Sequence, residues 1–96
     1  MKVRLTVLAK ADMLAQIDWL AKRSRQAARR ARSALLERLA GLTEFPLAAA
    51  LVDDDHREAV VRFGRDGYII RYRAFEDVVL VTRIFHARQT RYGARA

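Results

Sequence analysis

After a short opening strand, the apolar residues of this chain pass from a helical to a strand pattern near residue 47, and that change limits the allowed folds more than any other feature of its 96 residues. Between residues 10 and 42, apolar side chains return every third or fourth position, which gathers them into a stripe along one side of a helix. Between residues 59 and 85 they fall into short runs rich in β-branched and aromatic residues, the makeup of strands. Apart from one opening strand, helices come first and strands afterwards. The chain therefore predicts an α+β layout and not the alternating units of a doubly wound parallel sheet. At this length one modest core is all that can form, a single domain over residues 1–96 that removes roughly 60 to 65% of the unfolded surface from water.

Val3, Leu5 and Val7 alternate with Lys2, Arg4 and Thr6, the period of a strand with one buried face. A first helix is expected from residue 10 to about residue 23. Met13, Leu14, Ile17, Leu20 and Ala21 form its stripe, Asp12 lies near its positive N-terminal end, and Trp19 belongs to the core. Ser24 caps a second helix, in which Ala28, Ala31, Leu35, Leu39 and Leu42 are the buried stripe and Gly41 with Pro46 mark the end. From Leu47 to His56 periodicity is lost and a loop is expected, carrying Asp53-Asp54-Asp55. Hard-cation loops space their oxygen ligands at alternate positions around a glycine, and neither feature occurs here, so no metal site is read into the three aspartates.

Three more strands are expected over residues 59–63, 68–73 and 78–85. The turn Gly64-Arg65-Asp66-Gly67 and the short connection Phe75-Glu76-Asp77 make hairpins of them. The order is β-α-α-β-β-β, a helical hairpin on one face of a small, mainly antiparallel, twisted sheet. In the last strand Val78, Leu80, Thr82 and Ile84 should lie on one face and Val79, Val81, Arg83 and Phe85 on the other. Both faces would then be apolar. A monomer seldom leaves such a patch open, so the second face is expected to meet a protein partner, a second copy, or the terminal segment after Gln89.

The chain has no cysteine, which rules out disulfides and thiolate metal sites and suits a reducing compartment. It opens on alternating charged and apolar residues, lacks the apolar run of a membrane span, and is expected in the cytoplasm without a cofactor. Nineteen lysines and arginines against 11 acidic residues give a net charge of +8, a field that draws in an acidic partner. Lysine occurs only at Lys2, Lys10 and Lys22, so the basic chemistry is that of the arginine fork, suited to carboxylate or phosphate. Arg25, Arg29 and Arg32 share one face of the second helix, with Arg30 beside them, either as a solvated face or as a partner-binding stripe.

Four segments carry a resemblance to a known family. They are the helix Ala11-Asp12-Met13-Leu14-Ala15-Gln16-Ile17-Asp18-Trp19-Leu20-Ala21, the strand opening Arg57-Glu58, the strand Gly67-Tyr68-Ile69-Ile70-Arg71-Tyr72-Arg73, and the run Val79-Leu80-Val81-Thr82-Arg83-Ile84-Phe85-His86-Ala87-Arg88. In order and spacing they resemble the ParE/RelE toxins of type II toxin–antitoxin pairs over nearly the whole chain. The loop after Pro46 departs from that pattern: Leu47-Ala48-Ala49-Ala50 stand where the family usually has a Gly-Arg pair. The resemblance implies a toxin held inactive by a co-expressed antitoxin, whose C-terminal arm wraps it in a hetero-oligomer. The arm would meet arginines and the spare apolar sheet face, which names Arg57, Arg71, Val79, Val81, Arg83, Phe85, His86 and Arg88 as contact residues for antitoxin or target.

One branch of that family inhibits DNA gyrase, and the other cuts messenger RNA on the ribosome. The RelE-like nucleases use a central lysine pair and an arginine after the Gly-Tyr of their strand. Here no lysine follows Lys22 and Ile69 stands at the arginine's place. The leading expectation is a gyrase-binding, non-catalytic toxin. The alternative is a ribosome-dependent endoribonuclease with Glu58 as base, His86 as acid and Arg88 as phosphate clamp. A basic nucleic-acid-binding module is a third reading. Arg83 is expected in an inter-chain ion pair, Arg73 in solvent, His56 as a solvated loop residue, and Tyr68 and Tyr72 in the core.

Overall fold

A computed structural model describes residues 1–88. The elements are β1 (Lys2–Leu5), α1 (Val7–Ala21), α2 (Arg25–Glu44), β2 (Arg57–Val61), β3 (Tyr68–Ala74) and β4 (Val78–His86). The sheet order is β1-β4-β3-β2. β1 runs parallel to β4, while β2–β3 and β3–β4 are antiparallel hairpin pairs. The expected β-α-α-β-β-β order is therefore the observed one. Among the described residues no helix is long and apolar enough to cross a membrane.

The first helix begins three residues earlier than its apolar stripe suggests. Thr6 ends β1, donates its backbone N–H to the Val81 carbonyl at 3.0 Å, and accepts the Ala9 N–H on Oγ1 at 3.1 Å. It is the N-cap of α1, so Val7 and Leu8 are helical and not a continuation of the strand. Ser24 caps α2 in the same way, accepting from the Ala27 N–H at 3.1 Å. That helix stops at Phe45, whose N–H reaches the Gly41 carbonyl at 3.0 Å, because Pro46 has no N–H to continue the ladder.

Both helices cover one face of the sheet. Ala31, Leu35, Leu39 and Leu42 of α2 form a single buried cluster with Ala59, Val61, Tyr68, Ile70, Tyr72, Val79, Val81 and Ile84. Leu35 and Leu42 are fully buried, and each contributes on the order of 1.5 to 3 kcal/mol. α1 is less one-sided than expected. Ala9 is buried and Met13 and Leu20 pack on the core, but Leu14 is 61% exposed and Trp19 is 56% exposed. Trp19 is thus a surface residue and not part of the core.

β4 does not alternate as a regular strand. Arg71 pairs with Arg83 but the next residue, Tyr72, pairs with Val81, so Thr82 is an extra residue, a β-bulge. The bulge moves Ile84 to the helix-covered face with Val79 and Val81, and sets Arg83 on the open face opposite Arg71. The expectation that Val79, Val81 and Phe85 form a spare apolar surface is corrected accordingly. Val79 and Val81 are fully buried beneath the chain's own helices, and Phe85 is buried as well. The segment after Gln89, considered as a cover for that face, lies outside the described residues.

Candidate functional site

The bulge has a partner on α1. Beyond Val81, β4 has no strand on its β1 side, and Asp12 fills that edge. Its carboxylate accepts from Arg83 Nε at 2.7 Å, from the second Arg83 fork nitrogen at 3.1 Å, and from the Ile84 N–H at 3.0 Å. The hydrogen bond to Asp12 holds the Arg83 pKa above its ordinary value. Arg83 was expected to pair with another chain. It is instead satisfied within its own.

The other arginines of the open face are also engaged from within. The acidic loop folds back so that Asp53 Oδ2 meets Arg71 at 3.0 Å and Asp55 stands 3.8 Å from Arg73. Asp53 Oδ1 accepts the N–H groups of Asp55 and His56 at 2.9 and 2.7 Å and lies 3.2 Å from His56 Nδ1. These bonds, the His56 N–H first among them, hold the Asp53 pKa well below the usual carboxylate range. His56 is therefore held within the loop by Asp53, while Arg73 stays 38% exposed and meets the loop only through the long Asp55 pair. Arg57 is committed to the same loop, donating to the carbonyls of Leu47 and Ala49 at 3.2 and 2.7 Å.

Strand register decides whether Glu58, His86 and Arg88 act together. Glu58 pairs across Arg71 and Arg71 across Arg83, so these three lie on the open face. His86 pairs across Tyr68, which is buried on the helix side, three residues from Arg71 along an unbroken strand. Glu58 and His86 thus project from opposite faces, roughly 14 Å apart by strand spacing and rise. They do not converge on one phosphate. Burial raises the pKa of Tyr68 and of Tyr72, whose hydroxyl donates to the Pro46 carbonyl at 2.8 Å, so neither phenol is a base near neutral pH.

His86 and Arg88 do share a place. With Ala15, Gln16 and Trp19 of α1 they line a shallow cleft of about 480 Å³ between that helix and the end of β4. The His86 ring packs edge-on against Tyr68 with centroids 5.8 Å apart, and its Nδ1 accepts the Arg88 N–H at 3.2 Å. That bond leaves the Nε2 atom as the donor of the neutral ring. Arg88 pairs with Asp66 of the β2–β3 turn at 3.1 Å, with most of its side chain in solvent. The Arg23 guanidinium lies 3.7 Å from the Trp19 ring centroid and bonds the Trp19 carbonyl at 2.9 Å. Gln16, Trp19 and Arg23 were missed as site residues. Their signal was the helical wheel: Trp19 falls about 125° from the centre of the Met13-Ile17-Leu20 stripe, on the flank of α1.

Among the described residues no group of three or more His, Cys, Asp or Glu side chains is placed to hold a metal ion.

Comparison with known proteins agrees with this architecture. Toxin RelE1 of Caulobacter vibrioides is 39% identical over 89 residues, spanning 93% of this chain and 96% of that protein. Toxin RelE3 of the same bacterium is 33% identical over 89 residues, spanning 93% of this chain and 97% of that protein. A solved structure of a chromosomal ParDE system from P. aeruginosa shares the fold with a TM-score of 0.71 at 19% identity, over 91% of this chain and 96% of that one. The family described as the ParE toxin of the type II toxin–antitoxin system parDE matches residues 3–91, and the chain therefore belongs to that family, within the ParE/RelE toxins.

Proposed function

We propose that this toxin arrests growth by binding its target, DNA gyrase, and not by cutting RNA, and that a cognate antitoxin neutralises it in the cytoplasm. The observation that carries the non-catalytic reading is the register that puts Glu58 and His86 on opposite faces of the sheet. A 2′-hydroxyl attack needs base, acid and cations around one phosphate, and here the open-face arginines are already occupied by Asp12, Asp53 and Asp55. The antitoxin's apolar residues would meet the outer side of α1, where Val7, Leu8 and Leu14 are exposed, since the β4 valines are covered.

A second reading, a ribosome-dependent endoribonuclease, is favoured by the names of the two Caulobacter relatives, both of which are RelE toxins. His86 and Arg88, which share a cleft, would then be its acid and phosphate clamp. The two readings separate when the chain is induced in a bacterial host, alone and with its neighbouring small gene, while growth, plasmid supercoiling and messenger integrity are followed. Arrest relieved by the neighbour, with altered supercoiling and intact messengers, is the expected result. Cut messengers would overturn the gyrase reading, and absence of arrest at confirmed expression would overturn both.

A further inference from the structure

We propose that the tip of the helical hairpin binds single-stranded nucleic acid, with a base stacked on Trp19 and the phosphates held by the arginines of the α1–α2 turn and of α2. Between Asp18 and Glu37 the chain carries Lys22, Arg23, Arg25, Arg29, Arg30 and Arg32 and no acidic residue, a local charge of +6. All six are exposed. Among the described residues no carboxylate pairs with any of them, whereas Arg71, Arg73, Arg83 and Arg88 each have an aspartate. Arg25, Arg29 and Arg32 stand on one side of α2 over about 10 Å of helix, the axial reach of roughly three phosphates in a stacked strand.

The indole is a second, independent observation. Repulsion among solvated cations does not explain why a tryptophan beside them is 56% exposed. Arg23 bonds the Trp19 carbonyl and lies over the ring, so that ring and guanidinium present one stacked platform. The adjoining cleft brings the Gln16 amide, the His86 ring and the Arg88 guanidinium around that platform. These are groups that bond base edges and phosphate, and an unpaired base supplies the π-face that the indole lacks.

An acidic polypeptide fits less well, because an amphipathic segment needs contiguous apolar contact. The exposed Val7 and Leu8 lie at the other end of α1, about 16 Å along its axis from Trp19, and the exposed Leu14 lies about 140° around that axis from it, so no contiguous apolar surface adjoins the indole. A duplex would use the arginines but has no free base for Trp19. The proposal requires neither gyrase binding nor RNA cleavage, so its failure would leave the choice of target untouched.

Trp19 is the only tryptophan, so its fluorescence in the full-length chain reports directly on stacking. The test titrates mixed-sequence RNA and DNA single strands of about 12 nucleotides, from about 50 to 200 mM salt. Both are expected to quench Trp19, with affinity falling as salt rises by about 0.7 log unit per log unit of salt for each phosphate held. The triple variant Arg25→Gln, Arg29→Gln, Arg32→Gln should flatten that slope by about two units. Followed by anisotropy of a labelled strand, Trp19→Ala should weaken binding roughly tenfold with the slope unchanged. Circular dichroism checks that both variants fold. The proposal is overturned if the matched duplex binds equally without quenching, if an oligoglutamate of equal charge quenches and competes as well, or if no single strand binds.

Discussion

Asp12 decides whether α1 holds the end of β4 or merely lies against it. Asp12→Ala removes two guanidinium bonds and the acceptor for the Ile84 N–H at once. The side chains of Asp12 and Arg83 are 17% and 23% exposed, so the pair is mostly but not wholly shielded from water. Bonds to charged groups contribute about 1.5 to 3 kcal/mol each when measured singly, and three that share one carboxylate are far from additive. Discounting for shared geometry and residual solvent gives a loss of about 3 kcal/mol, a large part of the 5 to 15 kcal/mol typical of a domain. With a urea slope of about 1 to 1.5 kcal/mol per molar, the unfolding midpoint should fall by about 2 to 3 M. Asp12→Asn keeps an acceptor for the Ile84 N–H and should lose about half as much. A double-mutant cycle with Arg83→Met should return a coupling of about 1.5 kcal/mol. If Asp12→Ala lies within about 0.5 kcal/mol of the parent, the pair is an ordinary surface contact and the argument fails.

Two other perturbations separate local causes. At Gly67, with φ at +77°, an added Cβ would drive into the Val61 backbone carbonyl, whereas at Gly64, with φ at +61°, it would meet open space. Gly64→Ala should therefore cost only the left-handed strain, about 1 kcal/mol, and Gly67→Ala more than about 3 kcal/mol; equal thermal shifts for the two would refute this. Because the folded Asp53 pKa is depressed, its contribution is present above the ordinary carboxylate range and lost only as pH falls through the lower, folded value. At about pH 3, where an ordinary aspartate is mostly protonated, carboxyl NMR should find Asp53 still ionised. Titration of Asp53 in the ordinary carboxylate range would sink the loop assignment.

The elements legible in the sequence were those decided by local chemistry. Ser24 and Pro46 bound α2 because a cap oxygen and a missing N–H act within one turn. The buried stripe Ala28, Ala31, Leu35, Leu39 and Leu42 was read without error because the opposite side of that helix is strongly basic. α1 was harder, since it is apolar on most sides. Leu14 looked like core, and Val7 continued the alternation of Val3 and Leu5 although Thr6 had already turned the chain into a helix. The bulge at Thr82 left no local mark. It depends on β4 being registered with β3 on one side and with Asp12 on the other, a contact 71 residues away. A period-2 reading therefore assigned Ile84 to the wrong face and left Arg83 in search of a partner chain.

The distribution of paired charge follows from that same bulge. By turning Arg83 onto the open face beside Asp12, it completes a sheet surface on which each of Arg71, Arg73 and Arg83 is met by an aspartate. An acidic partner approaching this face would have to compete with carboxylates already in place, of which Asp53 and Asp55 are 43% and 62% exposed. At the α1–α2 turn no carboxylate of the described residues has to be displaced. The excess of positive charge there acts on incoming anions at full strength, screened only by salt. Two parts of one small surface thus differ in charge: the sheet-face arginines already hold aspartates, while those of the hairpin hold none among the described residues. Substitutions that remove the loop carboxylates from Arg71 and Arg73, such as Asp53→Asn with Asp55→Asn, should extend anion binding to the sheet face and steepen its salt dependence by about one to two units. An unchanged salt slope in that double variant would mean that the loop aspartates do not govern the sheet face at all.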